Sequence, residues 1–314
     1  MPRFLRHFTL ACLVYMTLVL PVAAAPRVWV ALAEEGGAYD EAAAVLRQEL
    51  GAQIDLNIAH WRAMFNARDP MPDLIVTVGV AALDGVVERL GRRDESWARV
   101  PVLAVMLPQA VFDARQADPQ LARRPFSAAL IDQPLGRQLA LIKRALPQFQ
   151  RVGVLAGVQT RQVLDVLDKE ARARGLTLRK TQLVNAVEEV YPALKQAIEE
   201  SEVILALPDP LIYNSASLQN ILLTMYRARI PLVAFSPAYV KAGAVLAVYS
   251  TPAQVAGRAV EMLRQWQSGR GLPPAQKPRE FEVAVNERVA ASLGLWIDAH
   301  NLIVNDLRRL EGDR

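Results

Sequence analysis

Cysteine is almost missing: the 314 residues contain one, Cys12. It lies within an N-terminal apolar run. If that run leaves on export, the remaining chain has no thiol, which excludes disulfides, a cysteine nucleophile and thiolate metal sites. Histidine is scarce too. His60 and His300 follow the N-terminal His7, and neither sits in a His-Glu-x-x-His or His-x-x-x-His arrangement, the spacings that put two imidazoles on one helix face for zinc. His60, next to Trp61, reads as structural or exposed. There is no Gly-x-Ser-x-Gly elbow, no phosphate loop ending Gly-Lys-Ser/Thr and no Gly-x-Gly-x-x-Gly after a strand. Arg151 to Gly157 has two glycines at the wrong spacing and reads as a strand and its end. Dense Lys/Arg tracts with interleaved aromatics, the footprint of nucleic-acid binding, are also lacking. No metal, cofactor or nucleic-acid partner is expected.

The first 25 residues carry an address. Arg3, Arg6 and His7 make a basic start, Leu10 to Leu20 is apolar, and Pro21-Val22-Ala23-Ala24-Ala25 is a small-residue end. This is the pattern of a cleavable signal peptide, 1–25. The apolar run is shorter than the roughly 20 residues of a spanning helix, so cleavage is favoured over a retained anchor and no stable membrane insertion is expected afterwards. Leu10-Ala11-Cys12 resembles a lipoprotein box, but the apolar run continues past it, so lipidation is not expected. Cleavage removes two arginines and no acid, and the formal charge falls from +4 to +2. The implied address is the periplasm.

The rest alternates strand-like and helix-like stretches. Val28 to Ala33, Leu74 to Val78, Val100 to Leu107 and Phe126 to Ile131 are apolar runs that stop at Gly, Pro or polar residues. Helical spacing separates them, as in Ala42, Val45, Leu46 and Leu50. A second series follows, with strands at Arg151 to Ala156, Leu176 to Val184, Val203 to Leu207, Leu232 to Phe235 and Ala244 to Thr251. Continuous apolar strands between amphipathic helices indicate parallel sheets covered on both faces. The fold class is α/β, with two doubly wound parallel-sheet lobes and a ligand cleft between them. Lobe one is expected at 26–133 plus a returning helix within 251–275, and lobe two at 134–250 plus 276–314.

Ligands of open α/β sheets sit at the carboxyl ends of the strands, so residues there are the candidates. Asp209, between Pro208 and Pro210, is placed to take an ammonium group or to fix the turn as a cap. Ser236 either bonds a ligand or caps a helix with Pro237 at its first position. Tyr239 is placed to stack on a ligand or cover it. Gly79 and Val80 in the first lobe, and Thr160 after Gly157 in the second, open helices whose free N–H groups accept anions. Asn214 and Tyr249 complete the set. Glu34-Glu35 forms a carboxylate pair suited to acid–base work or to a solvated loop.

Leu207-Pro208-Asp209-Pro210, Gln219 to Thr224, Phe235-Ser236-Pro237-Ala238-Tyr239-Val240-Lys241-Ala242-Gly243-Ala244, Tyr249-Ser250-Thr251-Pro252 and Val285-Asn286 through Leu295 resemble the ABC-transporter substrate-binding protein family of type I periplasmic-binding fold. The likeness is strong over 200–295, moderate over 134–200 and weak before that. Members often carry Gly-Thr/Ser-Pro-Ala after the third strand, where this chain has Gly79-Val80-Ala81-Ala82. Asp-Pro-Val-Gly and Gly-Gly-Asn-Val-Thr-Gly segments are replaced by Leu107-Pro108-Gln109-Ala110 and Pro125-Phe126-Ser127-Ala128-Ala129-Leu130. The resemblance implies a monomeric receptor that closes on an amino acid or small organic ion and delivers it to an ABC permease. The alternative output is presentation of the closed form to a membrane sensor kinase or chemoreceptor. The missing motifs argue against an exported enzyme.

Overall fold

The computed structural model describes residues 25–66 and 69–312. The export segment apart from Ala25, including Cys12, lies outside the described residues. The first sheet comprises β1 (Arg27–Leu32), β2 (Asp55–His60), β3 (Leu74–Val78), β4 (Val102–Leu107) and β5 (Phe126–Leu130). All its pairs are parallel, in the order β2-β1-β3-β4-β5. The connecting helices are α1 (Gly37–Leu50), α2 (Val80–Leu90) and α3 (Gln109–Arg115). The sequence of β3, Leu-Ile-Val-Thr-Val, is buried throughout. Leu74, Val76 and Val78 enter one core with Leu46 and Val255, while Ile75 enters the other with Leu83 and Val86. Alternate side chains serve opposite faces, which is why the strand is apolar at every position but Thr77.

The second sheet comprises β6 (Arg151–Val154), β7 (Thr177–Lys180), β8 (Val203–Leu205), β9 (Leu232–Ala234), β10 (Leu246–Tyr249) and β11 (Glu282–Val285). Its order is β11-β10-β9-β8-β6-β7, with β11 antiparallel to β10. Helix α4 (Leu135–Ala145) leads into β6, and α5 (Leu164–Arg172), α6 (Val190–Glu200), α7 (Leu218–Ala228) and α8 (Pro237–Ala242) follow β6 to β9 in turn. One further helix, α9 (Pro252–Gln265), packs on α1, β4 and β5 of the first lobe. Its start is written locally: Thr251 and Gln254 form a reciprocal capping box and Pro252 occupies the first turn, satisfying N–H groups that the helix itself leaves free. The chain ends in α10 (Glu287–Ser292) and α11 (His300–Gly312), the latter against β11 and α4.

The chain passes between the sheets three times: after β5, after β10, and after Gln276. Gln276 extends the first sheet, donating to the Ala128 carbonyl at 2.8 Å and accepting from Leu130 N–H at 2.9 Å, before the chain enters β11.

β2 is a strand that hydrophobic runs do not announce. It is an edge strand in which polar and apolar residues alternate, so it is only half buried.

Candidate functional site

The three passages are knotted together by side chains. Gln133, on the first, donates through Nε2 to Ser250 Oγ on the second at 2.8 Å. Ser250 Oγ donates to the Glu280 carbonyl on the third at 2.5 Å. Arg137 binds Gln133 Oε1 at 2.8 Å, the carbonyls of Pro278 and Arg279, and Glu311 through two bonds of 2.7 and 2.6 Å. The Arg137 side chain is 4% exposed and lies 4.1 Å from the Phe281 ring centroid. An arginine this buried needs its fork fully occupied, and here it is shared among the first passage, the third passage and the last helix. Asp132 precedes the knot and accepts from the first N–H of α3, Gln109, at 2.6 Å. Burial pushes its carboxyl above the usual range, opposed by that N–H and by Lys277.

In lobe two, the loops after β6 and β8 are tied by one carboxylate. Asp209 Oδ2 accepts from Gly157 N–H at 3.1 Å and from Thr160 Oγ1 at 2.8 Å, and Oδ1 accepts from Leu211 N–H at 3.0 Å. Asp209 is 2% exposed. The expectation that it presents itself to an ammonium group is corrected: three donors from its own lobe already hold it, and the residue is out of solvent. A glycine is required at 157 because a Cβ there would stand 2.7 Å from Asp209 Oδ2. Thr160 is buried in the same tie, and Gly157 N–H is spent on it. Asn214 organises the next turn: its Oδ1 accepts from Ala216 and Ser217 N–H, and its Nδ2 donates to the Pro210 carbonyl.

Tyr213, Phe235 and Tyr239 cluster at these strand ends. Phe235 and Tyr239 centroids are 4.7 Å apart, and Tyr213 meets both edge-on at 6.2 and 6.5 Å. The Tyr239 hydroxyl donates to the Tyr213 carbonyl at 3.1 Å, leaving the half-buried ring as a fixed shelf. The Tyr213 hydroxyl is buried and has no partner among the described residues, and burial drives its acidity down. Ser236 stands at the N-cap position with Pro237 at the first helical position, but its side chain makes no cap bond. Tyr249 ends β10 opposite Glu282, one residue before Ser250 of the hinge.

Lobe one is built differently. Gly79 has φ +91° and is roofed by Tyr39, whose ring a Cβ at 79 would meet at 2.6 Å. Its N–H donates to the Val105 carbonyl at 2.9 Å, so the reading of Gly79 N–H as an anion donor is corrected. Val80 opens α2 and is half buried. Glu34 and Glu35 are exposed at the end of β1. His60 is structural: Nε2 donates to the Ala33 carbonyl at 3.0 Å and Nδ1 accepts from Arg62 N–H at 3.2 Å. Tyr39 and the hinge residues Asp132, Gln133 and Arg137 escaped the sequence reading. An aromatic two residues after Gly36-Gly37 at a strand end was the available signal for Tyr39. Across the cleft, Gln162 donates to Asp113 of α3 at 3.3 Å, which sets the loop after β6 against the helix after β4.

Among the described residues, no group of His, Cys, Asp or Glu is arranged to hold a metal, and no helix is long and apolar enough to cross a membrane.

Known proteins share this architecture. The family described as ABC transporter substrate binding protein matches residues 132–305. No curated protein matches the chain. Solved structures do. A ligand-free, open substrate binding protein with adhesive properties from Clostridium difficile is 16% identical, with a TM-score of 0.64 over 87% of this chain and 96% of the other. An ABC domain in complex with L-Trp from Streptococcus pneumonia is 15% identical, with a TM-score of 0.59 over 90% and 98%. A conserved domain protein from Vibrio cholerae is 18% identical, with a TM-score of 0.58 over 89% and 98%. At these identities the likeness is one of fold.

Proposed function

We propose, from the premise that the chain belongs to the ABC transporter substrate binding protein family, that it is an exported receptor closing its two lobes on an amino acid or small organic ion. That family consists of solute-binding proteins rather than enzymes. The observation that carries the reading is the three-stranded hinge tied by Gln133, Ser250 and Arg137. It joins two lobes whose strand-end loops face one another. Hinges of this kind absorb rotation at a few terminal residues while each lobe moves as a body.

In this reading Tyr239 supplies a face for an apolar or aromatic part of the solute, and the uncommitted Ser236 hydroxyl a polar contact. The first turn of α2 at Val80 supplies N–H groups to an anionic end. Glu34 and Glu35, exposed at the opposing strand end, replace Asp209 as the carboxylates available to an amine. Asp209, Thr160 and Asn214 hold the lobe-two loops in place, and Gly79 seats Tyr39. An aromatic shelf suits ring-bearing solutes, and one similar structure is a complex with L-Trp. The closed form then delivers its solute to an ABC permease.

The test is thermal unfolding of the exported form against a panel of amino acids, amines, small carboxylates and nucleosides. A solute present at 100 times its dissociation constant adds about 2.7 kcal/mol, a rise of several degrees. Tyr239→Ala should abolish that rise. A panel that shifts nothing, on protein verified to be ligand-free, would reject the amino acid or small-ion reading.

A further inference from the structure

The flank of lobe one carries a pocket of about 450 Å³ between the turn after β2 and the C-terminal half of α2. Its volume lies within the range of small-molecule sites. Four arginines border it, Arg62, Arg89, Arg92 and Arg93, against one acid, Glu88. Arg92 and Glu88 are paired at 2.6 Å. Of the acids nearby, Asp84 is paired with Arg115, Asp69 accepts from Asn66 N–H, and Asp94 accepts from Ser96 N–H while attracting Arg93. Arg93 is therefore partly matched, whereas Arg62 and Arg89 make no ion pair among the described residues.

Those two guanidiniums gather on one ring. Arg62 Cζ lies 4.6 Å and Arg89 Cζ 6.0 Å from the Trp61 centroid. Trp61 is seated on α2 at Gly85, where a Cβ would overlap the ring. Arg93 is fixed beside them: its Nη2 donates to the Phe65 carbonyl at 2.6 Å, and its Cζ lies 4.9 Å from the Trp97 centroid. Phe65 holds φ +68°, a costly conformation for a bulky residue. Positive side chains at the end of a helix also offset its dipole, but that does not account for this arrangement. Arg62 belongs to another element, Arg93 reaches a carbonyl outside α2, and the last α2 carbonyls, Val87, Arg89 and Leu90, accept from backbone N–H groups.

We propose that this pocket is a second ligand site, for a phosphate or diphosphate group. A planar guanidinium held on an aromatic ring keeps N–H donors for a bidentate oxyanion. Two such forks on one ring need more acceptors than a monocarboxylate carries, since its two oxygens fill one fork. A phosphate ester offers three terminal oxygens and nearly two charges. A diphosphate extends to Arg93 as well. Trp61 is taken up by Arg62 and Gly85, so the pocket reads the charged group rather than an attached ring or chain. None of the residues assigned to the solute cleft borders it. Arg62 is exposed and Arg89 half buried, so added salt weakens the interaction.

Calorimetric titration with sodium pyrophosphate at low ionic strength tests the site. Saturable binding at one site per chain is expected. Arg62→Ala, at an exposed position, should weaken it at least fivefold. Arg89→Gln should do the same, and the exposed Arg62→Ala carries the test alone if Arg89→Gln unfolds at a lower temperature. Arg227→Ala, which removes an exposed charge from α7, should leave the affinity unchanged. So should Tyr239→Ala in the cleft, which separates this site from the receptor reading. Acetate should bind at least tenfold more weakly than pyrophosphate. Flotation with phosphatidylcholine vesicles, with and without phosphatidic acid, then distinguishes the two sources of such a group. Flotation that needs phosphatidic acid and is competed by pyrophosphate assigns a membrane headgroup, and pyrophosphate binding without flotation assigns a soluble phosphate compound. Absence of saturable binding, equal affinity for acetate, or a loss in Arg227→Ala as large as in Arg62→Ala would overturn the proposal.

Discussion

In lobe one three large rings form an interior cluster. Trp29, Phe65 and Trp97 meet with centroids 5.2 to 5.8 Å apart inside the sheet-and-helix core, and the strand-end loops carry exposed carboxylates. In lobe two the rings of Phe235 and Tyr239 stand at the strand ends, and the loops around them are cross-tied by Asp209. The lobe-one cluster of Trp29, Phe65 and Trp97 is buried, whereas the lobe-two pair of Phe235 and Tyr239 keeps part of its surface exposed. The family likeness covers 132–305, which is lobe two with the returning helix α9, and leaves the five strands of the first sheet aside. In the proposed reading, lobe two supplies a pre-organised half-site, and the family match does not extend to residues before 132. On that proposal, lobe one would set selectivity among solutes and lobe two would supply the shelf.

The largest way to break the comparison is Trp29→Ala. Trp29 is 1% exposed, and truncation of such a ring costs about 3–5 kcal/mol. Chemical denaturation should show that loss, and a value under about 1 kcal/mol would mean that lobe one does not rest on its aromatic core. Asp209→Ala should come next. It removes the acceptor shared by Gly157, Thr160 and Leu211, of which Leu211 N–H has no other partner while Gly157 N–H keeps Thr160 Oγ1, for a loss of about 1–3 kcal/mol. Hydrogen exchange should rise in the loops after β6 and β8 and stay unchanged in lobe one. Unchanged stability with lost solute binding would return Asp209 to the role of direct ligand contact.

Glu202 sharpens the lobe-two side through pH. Backbone N–H groups of Arg151 and Gln150 hold its carboxyl below the usual range. A depressed folded-state pKa stabilises above the unfolded value and is lost as pH falls through the folded one. Wild type should therefore lose stability on acidification below about pH 4.5 more steeply than Glu202→Gln; parallel curves would remove Glu202 from the account. The smallest effect is expected for Tyr213→Phe. Its hydroxyl is buried without a described partner, so removal should change stability by less than about 0.5 kcal/mol or raise it. A clear loss in a thermal melt would reveal a partner for that hydroxyl.

Much of this division is written in local pattern. Leu74 to Val78 is apolar because both faces of β3 are covered, and Thr251-Pro252 announces the start of α9 by capping chemistry alone. The likeness over 200–295 rests on contiguous residues. What local pattern cannot express is partnership at a distance. Asp209 is visibly at a strand end, but its donors lie 49 and 52 residues away at Thr160 and Gly157, and that contact converts an apparent ligand group into a tie. Gln133 and Ser250, 117 residues apart, read as ordinary polar residues until the fold brings three chain passages together. β2 stayed hidden because an edge strand with one wet face lacks a continuous apolar run.

The most direct measurement is small-angle X-ray scattering of the protein with and without the solute that gives the largest thermal shift. Rotation of two lobes about the Gln133–Ser250–Arg137 hinge predicts a smaller radius of gyration when the solute is bound, with the secondary structure unchanged. A saturating solute that leaves the scattering curve the same would contradict closure and make the cleft a rigid site.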